Sequence, residues 1–216
     1  MSLVYSLEFR SAFSVFTGLG VAGLVDRTVV RTASHLPYVP GSTVKGRWRW
    51  TAERLLRGAG RDHSGHGMWV HPLGASHCKD RQNACTVCRL FGNPAIPSTL
   101  QVGDALPAAE LRALFEQLAT RGEGHRRRKA PLPVDTEVRP GVAISRVRGV
   151  AQADCLFFDE AVPAVTFNGP WMLDGEITSE EKIFLRAAAG AVEELGARRG
   201  GGRGGLVGGI VVEVLP

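Results

Sequence analysis

Apolar residues recur along the chain at two spacings, which predict an alternation of strands and helices. Every second residue from Leu3 to Phe9 is apolar, the period of a strand with one buried face, and apolar residues continue to Phe16. Further short apolar runs end at glycine, proline or polar residues. The predicted strands cover residues 3–16, 27–31, 99–102, 142–149, 156–160, 165–167, 171–173 and 206–215.

Other segments carry apolar residues at helical spacing. The first begins after the turn at Pro40-Gly41, where Ser42 or Thr43 is the predicted cap. The last opens with the capping-box sequence Thr178-Ser179-Glu180-Glu181. Glycines stop each segment. The predicted helices cover residues 42–57, 107–122 and 178–195.

The order of these elements predicts the fold. Strand, helix, strand, strand, helix, strand is the order of a ferredoxin-like (RRM-like) α+β sheet. We expect a single domain over residues 1–216, with one insertion at about 58–94 after the first helix. A second insertion, a helix and a β-hairpin at about 105–162, would separate the two central strands.

Composition and charge add a candidate partner. The chain has 216 residues, of which 44% are hydrophobic and 22% charged, as in globular proteins. Its net charge of +5 alone favours an ordinary solvated surface, but the basic residues cluster at 126–129 and 198–203, as in nucleic-acid-binding proteins. The sequence shows no secretory signal and no membrane span. We therefore expect a cytoplasmic protein without a membrane partner, whose cysteines are reduced or bound to metal.

The start of the first predicted helix has the chemistry of an anion site. Lys45, Arg47 and Arg49 follow the turn, interleaved with Trp48 and Trp50. The N-terminus of a helix already favours an anion through its unpaired N–H groups and its dipole. This combination suits a phosphate backbone. An ordinary capped helix, with solvated basic residues and core tryptophans, explains the same residues.

A cysteine-rich loop predicts a metal site. Between residues 58 and 88 the chain is rich in glycine, histidine and polar residues, so it needs a source of order other than a core. Cys78 precedes the CxxC pair Cys85 and Cys88, and His77 is the predicted fourth ligand, with His71 as the alternative. His63 and His66 are less favoured candidates. Three cysteines and one histidine form a structural zinc site with no vacant position. Three free thiols in a loop are the alternative.

Four motifs, in this order, carry a family resemblance. They are Pro40-Gly41-Ser42-Thr43-Val44-Lys45-Gly46, Cys88-Arg89-Leu90-Phe91-Gly92, Gly141-Val142-Ala143-Ile144-Ser145-Arg146 and the glycine-rich loop at 196–205. With them the chain resembles the repeat-associated mysterious protein (RAMP) superfamily of CRISPR effector subunits. It is most similar to the backbone subunit of type III complexes, which polymerises along the guide RNA.

The resemblance implies a palm with the ferredoxin-like fold, a zinc-bearing insertion and a thumb hairpin, here Arg139 to Phe158. It implies as partners a guide RNA, a target RNA, other CRISPR effector subunits and copies of the chain itself. The helix start and the terminal loop would lie side by side and hold guide phosphates regardless of sequence. The implied RNA contacts are Ser42, Lys45, Arg47, Arg49, Arg146, Arg198, Arg199 and Arg203.

The resemblance also implies a catalytic residue. Type III backbone subunits often cut target RNA with an aspartate in the loop before the Pro-Gly-Ser motif, and Asp26 occupies that place. It would help the 2′-hydroxyl attack the adjacent phosphate, with magnesium or another divalent ion in support. A loop aspartate paired with an arginine such as Arg27 is the alternative.

Two further functions compete with this hypothesis. One is a stand-alone guide-processing endoribonuclease of the same superfamily, which often uses a histidine as general base; here most histidines fall in the segment 35–77. The other is a zinc-containing RNA-binding subunit without catalytic activity. Cleavage of free repeat RNA without guide would indicate the first, and binding without cleavage the second.

Overall fold

The structure is a computed structural model that describes residues 3–64, 67–75, 78–124, 136–197 and 201–214. Its helices are α1 (Gly41–Gly58), α2 (Thr86–Phe91), α3 (Ala109–Gly124) and α4 (Ser179–Gly190). Its strands are β1 (Leu3–Phe9), β2 (Leu100–Val102), β3 (Leu106–Pro107), β4 (Glu137–Ile144), β5 (Ala151–Ala161), β6 (Thr166–Leu173) and β7 (Leu206–Val214). No described helix has both the length and the hydropathy that crossing a membrane requires.

The main sheet confirms the predicted ferredoxin-like α+β fold. Its strands lie in the order β2-β6-β1-β7, all antiparallel, with the short β3 also paired to β6. When these four strands are renumbered one to four along the chain, their order in the sheet is 2-3-1-4, which is the ferredoxin-like order. α1 and α4 pack against each other, and the buried indole of Trp48 on α1 donates to the Leu185 carbonyl of α4 at 3.0 Å.

One apolar core fixes these elements. The buried positions of α1 are spaced by three or four residues, so one stripe of the helix faces the sheet. α2, from the cysteine-rich segment, contributes Val87, Leu90 and Phe91 to the same cluster. The core also includes Tyr5, Leu7, Trp48, Phe167, Leu185 and Ile210.

The predicted cap of α1 is wrong. The helix begins at Gly41 after the N-cap residue Pro40, whose side chain makes no capping hydrogen bond. The N–H of Gly41 instead donates to Asp104 Oδ1 at 2.8 Å. A Cβ on Gly41 would lie 2.2 Å from the Val102 carbonyl oxygen, so only glycine lets the start of the helix come this close to the end of β2. The carboxylate of Asp104, from a loop that is distant in sequence, thus takes the capping role expected of Ser42 or Thr43.

Several predicted boundaries shift for identifiable reasons. The first strand stops at Phe9 because its register on β7 shifts there, and Arg10 N–H turns to the Gly205 carbonyl. The segments at 165–167 and 171–173 are one strand, β6. The segment at 27–31 forms only isolated bridges. α4 has its predicted capping box but ends at Gly190, because residues 193–195 pair with the terminal turn.

β4 and β5 form a separate two-stranded sheet. Its distal turn is exposed, and Val147 there is 96% exposed. The base of β5 is buried instead, at Asp159, Glu160 and Ala161. The hairpin is therefore anchored to the body of the protein through the last residues of β5.

A groove beside helix α1 and a His/Cys cluster

A groove of about 520 Å³ runs between α1, the loop after β1 and the start of the terminal turn. It brings the first turns of α1 beside Gly196 and Ala197, where the arginine- and glycine-rich turn begins. Its lining residues are Val15, Phe16, Ser42, Thr43, Gly46, Arg47, Trp50, Gly196 and Ala197. Of the sequence-predicted RNA contacts, Ser42 and Arg47 line this groove, whereas Arg198 and Arg199 lie outside the described residues.

The other two predicted contacts on α1 have partners elsewhere. Lys45 Nζ donates to Ser98 Oγ at 2.6 Å, and partial burial, followed by the charge of Arg49, lowers the pKa of Lys45. Arg49 pairs with Glu53 and also donates to the Gly92 carbonyl. Lys45 and Arg49 therefore contact residues outside the groove. Arg47 is the predicted cation on α1 that lines the groove.

The positive end of α1 is already met by a carboxylate. Asp104 accepts from the first N–H of the helix, and the Pro40 carbonyl accepts from the N–H groups of Thr43 and Val44. These contacts satisfy most of the N–H groups that a helix start leaves unpaired. Attraction of an anion to the groove must therefore come from side chains and from the glycine turn more than from the helix dipole.

Arg203 and Arg146 occupy very different places. Arg203 lies 3.8 Å from Asp159, with its side chain 14% exposed, so its charge is paired inside the protein. Arg146 lies in the exposed turn between β4 and β5. Only Arg146 of these two presents its side chain to solvent.

A buried carboxylate connects three segments at the hairpin base. Asp159 on β5 has a fully buried side chain, and it lies 3.6 Å from Arg27 Nε and 3.8 Å from Arg203 Nη1. The next residue, Glu160, accepts from Arg31 and from the N–H of Val29. Sequence analysis missed both acids; two carboxylates at the end of an apolar strand, with arginines in the neighbouring loops, are the signal that points to them.

Asp26 lies in an exposed loop and contacts the backbone of β5. Its N–H donates to the Phe158 carbonyl at 2.8 Å, and its Oδ2 accepts from the Phe158 N–H at 2.6 Å. Arg27 pairs with Asp159 and lies near the rings of Phe16 and Phe157. The candidate catalytic carboxylate is thus held beside the hairpin base through one of its oxygens.

The cysteine-rich segment folds into a cluster that could hold a metal ion. One ligand atom from each of His71, Cys78, Cys85 and Cys88 lies within 4.8 Å of the others. His71 Nδ1 lies 3.4 Å from Cys85 Sγ and 3.6 Å from Cys88 Sγ. The alternative ligand, His71, is therefore in the cluster; the predicted ligand, His77, lies outside the described residues.

Local structure holds the sulfur atoms in place. Cys85 is the N-cap of α2, where its Sγ accepts from the Cys88 N–H, and Cys78 Sγ accepts from the Cys85 N–H. Arg49 Nη2 lies 3.8 Å from Cys88 Sγ. Burial raises the pKa of the Cys85 thiol to about 12. A bound metal cation would favour the thiolate form of these sulfur atoms, because a cysteine that ligates a metal is deprotonated.

Comparison with known proteins identifies the family. A family profile for the RAMP superfamily matches residues 13–207. The chain belongs to the RAMP superfamily. In this RAMP chain the groove and the His/Cys cluster both fall within the matched region. No curated protein sequence matches it.

A solved structure agrees with the RAMP fold. It is a chain of a cryo-EM structure described as the type III-B Cmr-beta bound to cognate target RNA. The two chains superpose with a TM-score of 0.58 at 12% sequence identity, over 98% of this RAMP chain and 97% of that chain. At this identity the match shows a shared fold.

Proposed function

We propose that this RAMP chain is a subunit of a type III CRISPR effector complex and binds the guide RNA along its backbone. The observation that carries the proposal is the groove in which Arg47 on α1 faces the beginning of the glycine-rich turn. Cationic side chains and the N–H groups of a glycine turn are phosphate binders. The full-length match to a chain of an RNA-bound type III-B complex supports the same function.

Such binding is independent of sequence, since phosphates carry no base information. The subunit would then accept any guide and could repeat along it, with copies of itself and other effector subunits as neighbours. The β4–β5 hairpin would act as the thumb that reaches the guide–target duplex, with Arg146 in its exposed turn. The insertion at about 58–94 would remain part of the single domain, because α2 belongs to the main core.

We further propose that Asp26 takes part in target-RNA cleavage. A carboxylate beside the RNA would accept the proton of the 2′-hydroxyl as its oxygen attacks the adjacent phosphate. The bond from phosphorus to the 5′-oxygen breaks, which leaves a 2′,3′-cyclic phosphate, and the departing 5′-oxygen takes a proton from water. No group of three candidate metal ligands surrounds Asp26 in the described part of the chain. Magnesium there would be held by Asp26 together with RNA phosphates and water, a common arrangement for this ion. The ion would stabilise negative charge on the phosphate.

A non-catalytic RNA-binding subunit is the second candidate, and one observation favours it. The 2.6 Å hydrogen bond from the Phe158 N–H commits one oxygen of Asp26 to holding its loop against β5. A residue with that structural task explains the same geometry without chemistry.

Cleavage assays separate these functions. The assembled complex with a guide and a labelled target RNA is compared with its Asp26→Asn form, with magnesium present or chelated. Asp174→Asn, which changes an exposed aspartate directly after β6, is the matched control. Loss of cleavage with Asp26→Asn alone, at unchanged target binding, supports catalysis. Binding without cleavage by the unmodified complex favours the second candidate, and cleavage of free repeat RNA without guide indicates a processing enzyme.

We propose that the metal ion of the His/Cys cluster is a structural zinc. In a tetrahedral site with Zn–S of about 2.3 Å and Zn–N of about 2.05 Å, sulfur and nitrogen lie about 3.6 Å apart. The 3.4 and 3.6 Å distances from His71 Nδ1 to the sulfur atoms of Cys85 and Cys88 agree with that edge. A Cys₃His set closes the coordination shell, so the zinc would stabilise the fold and not the reaction. Elemental analysis of folded protein tests the proposal.

A further inference from the structure

A stack of two arginines on one tryptophan lies on α1, where the groove ends. The guanidinium carbon of Arg47 lies 3.9 Å from the centre of the Trp50 ring, and that of Arg54 lies 4.5 Å from it. Arg47 precedes Trp50 by three residues and Arg54 follows it by four, so the cations approach from the preceding and following turns of the helix. Trp50 is 42% exposed.

We propose that Arg47, Trp50 and Arg54 form a phosphate clamp that extends the guide-RNA groove along α1. This inference deepens the proposed function and rests on it. It adds Arg54 as an RNA contact and gives Trp50 the part of a positioning residue.

Continuity with the groove supports the clamp. Arg47 and Trp50 line the groove, and Arg54 lies one helical turn beyond it on the same face. Arg47 Nε also donates to the Glu194 carbonyl at 3.1 Å, two residues before the glycine turn. A strand that follows the groove past Gly196 and Ser42 therefore reaches Arg54 next.

The charges around the stack favour an anion over any other ligand. Arg54 makes no ion pair or hydrogen bond with the residues described, and it is exposed. The acid in the same stretch of helix, Glu53, is already paired with Arg49 and Arg57. Arg54 thus presents positive charge without a neutralising carboxylate among the described residues, and a phosphate chain is the ligand continuous with the groove.

Trp50 makes the two cations act as a unit. Both guanidinium carbons lie near one ring, so the separation between them cannot exceed the two ring distances placed end to end. That span is shorter than the screening length of about 10 Å at 0.1 M salt, so a phosphate near one cation is attracted by both. The electron-rich ring offsets the repulsion between the cations and restricts their side chains before RNA arrives. Pre-ordered side chains lose less entropy on binding.

RNA-binding measurements on the full chain test the clamp. Dissociation constants for a fluorescent single-stranded RNA are measured over a range of salt concentrations for the unmodified protein, Arg54→Ala, Trp50→Ala and their double variant. Arg186→Ala, which removes an exposed arginine from α4, is the matched control for charge. Circular dichroism and thermal unfolding check that each variant is folded.

The clamp predicts a defined pattern. Arg54→Ala makes the plot of log affinity against log salt concentration less steep by about 0.7, the contribution of one phosphate contact. For each tenfold rise in salt, the variant therefore loses about fivefold less affinity than the unmodified protein. Trp50→Ala weakens binding although it removes no charge, and Trp50→Phe restores part of the loss. The double variant is less impaired than the sum of the single changes, because the tryptophan acts through the arginine.

Two results overturn the clamp without touching the proposed function. They are RNA binding by Arg54→Ala equal to that of Arg186→Ala, and strictly additive effects of the two substitutions. Normal RNA binding by Arg54→Ala together with lost assembly with other subunits would assign the stack to a protein partner instead. Failure of the unmodified chain to bind RNA at low salt would overturn the proposed function and the clamp together.

Discussion

Replacing Asp159 with asparagine is expected to lower the free energy of unfolding by about 3–4 kcal/mol, the lower part of the range for breaking buried ion pairs. Asparagine keeps the size of the side chain and removes its charge. Arg203, whose side chain is 14% exposed, then loses the counter-charge 3.8 Å away. Arg27, at 3.6 Å, loses it as well, but its side chain is 43% exposed.

These distances and exposures set the magnitude. At an effective dielectric constant of about 20, opposite unit charges about 3.8 Å apart attract each other by about 4 kcal/mol. Water screens the pair with Arg27, so that pair contributes at most about 1 kcal/mol. Part of the gross attraction offsets the cost of removing the carboxylate from water, and the asparagine amide still forms hydrogen bonds. The expected net loss in the free energy of unfolding is therefore close to the attraction between Asp159 and Arg203 alone.

Urea unfolding followed by tryptophan fluorescence measures this loss. Glu137→Gln is the matched control, because Glu137 and Arg139 form an ion pair whose side chains are 49% and 43% exposed; its removal costs about 0–1 kcal/mol. Adding Arg203→Met to Asp159→Asn is expected to recover stability, since the largely buried guanidinium that lost its counter-charge is then removed as well. A loss for Asp159→Asn as small as that of the control, at equal dependence on urea, would refute this account of the hairpin base.

Three other predictions concern the metal cluster, the groove and the sheet. Cys85→Ser, or chelation, is expected to lower the melting temperature and expose the segment 58–94 to protease, because structural zinc contributes folding free energy directly; well-folded protein without zinc would contradict this. Arg47→Ala, which removes the predicted cation that lines the groove, is expected to weaken binding to all guides alike and to flatten the salt dependence, measured with several unrelated guides; a sequence-selective loss would contradict it. Burial, followed by the charge of Asp104, raises the pKa of Tyr5, so the folded state favours its neutral form and stability is lost as pH rises above about 10. Tyr5→Phe should remove that part of the alkaline loss in unfolding experiments at several pH values; an unchanged profile would show that another group is responsible.

The fold could be predicted largely from sequence because its signals are local. Alternating apolar residues marked β1, an apolar run marked β7, and the capping box at Thr178 marked the start of α4. The end of β1 could not be predicted, since it depends on a register shift against β7, which is far away in sequence. The predicted cap of α1 was wrong for the same reason, because the first N–H of the helix donates to Asp104, which lies far away in sequence.

The candidate site divides in the same way. The spacing of Cys78, Cys85 and Cys88 is a short-range signal, and the three sulfur atoms do converge. Which histidine joins them depends on the path of the loop that leads to Cys78. The histidine in the cluster is His71, which precedes Cys78 by seven residues. The ion pair of Arg203 with the buried Asp159 forms because β5, the loop that holds Arg27 and the terminal turn meet in the folded protein. No local sequence pattern indicates that contact.

The attachment of α2 has a consequence for anyone who would trim this protein. Leu90 and Phe91 lie in the same apolar cluster as Trp48, and Arg89 forms an ion pair with the buried Glu181 of α4. Excising the cysteine-rich segment and joining its ends would therefore remove part of the apolar core and take away the counter-charge of the buried Glu181. A shortened version of this protein therefore has to retain the cysteine-rich segment.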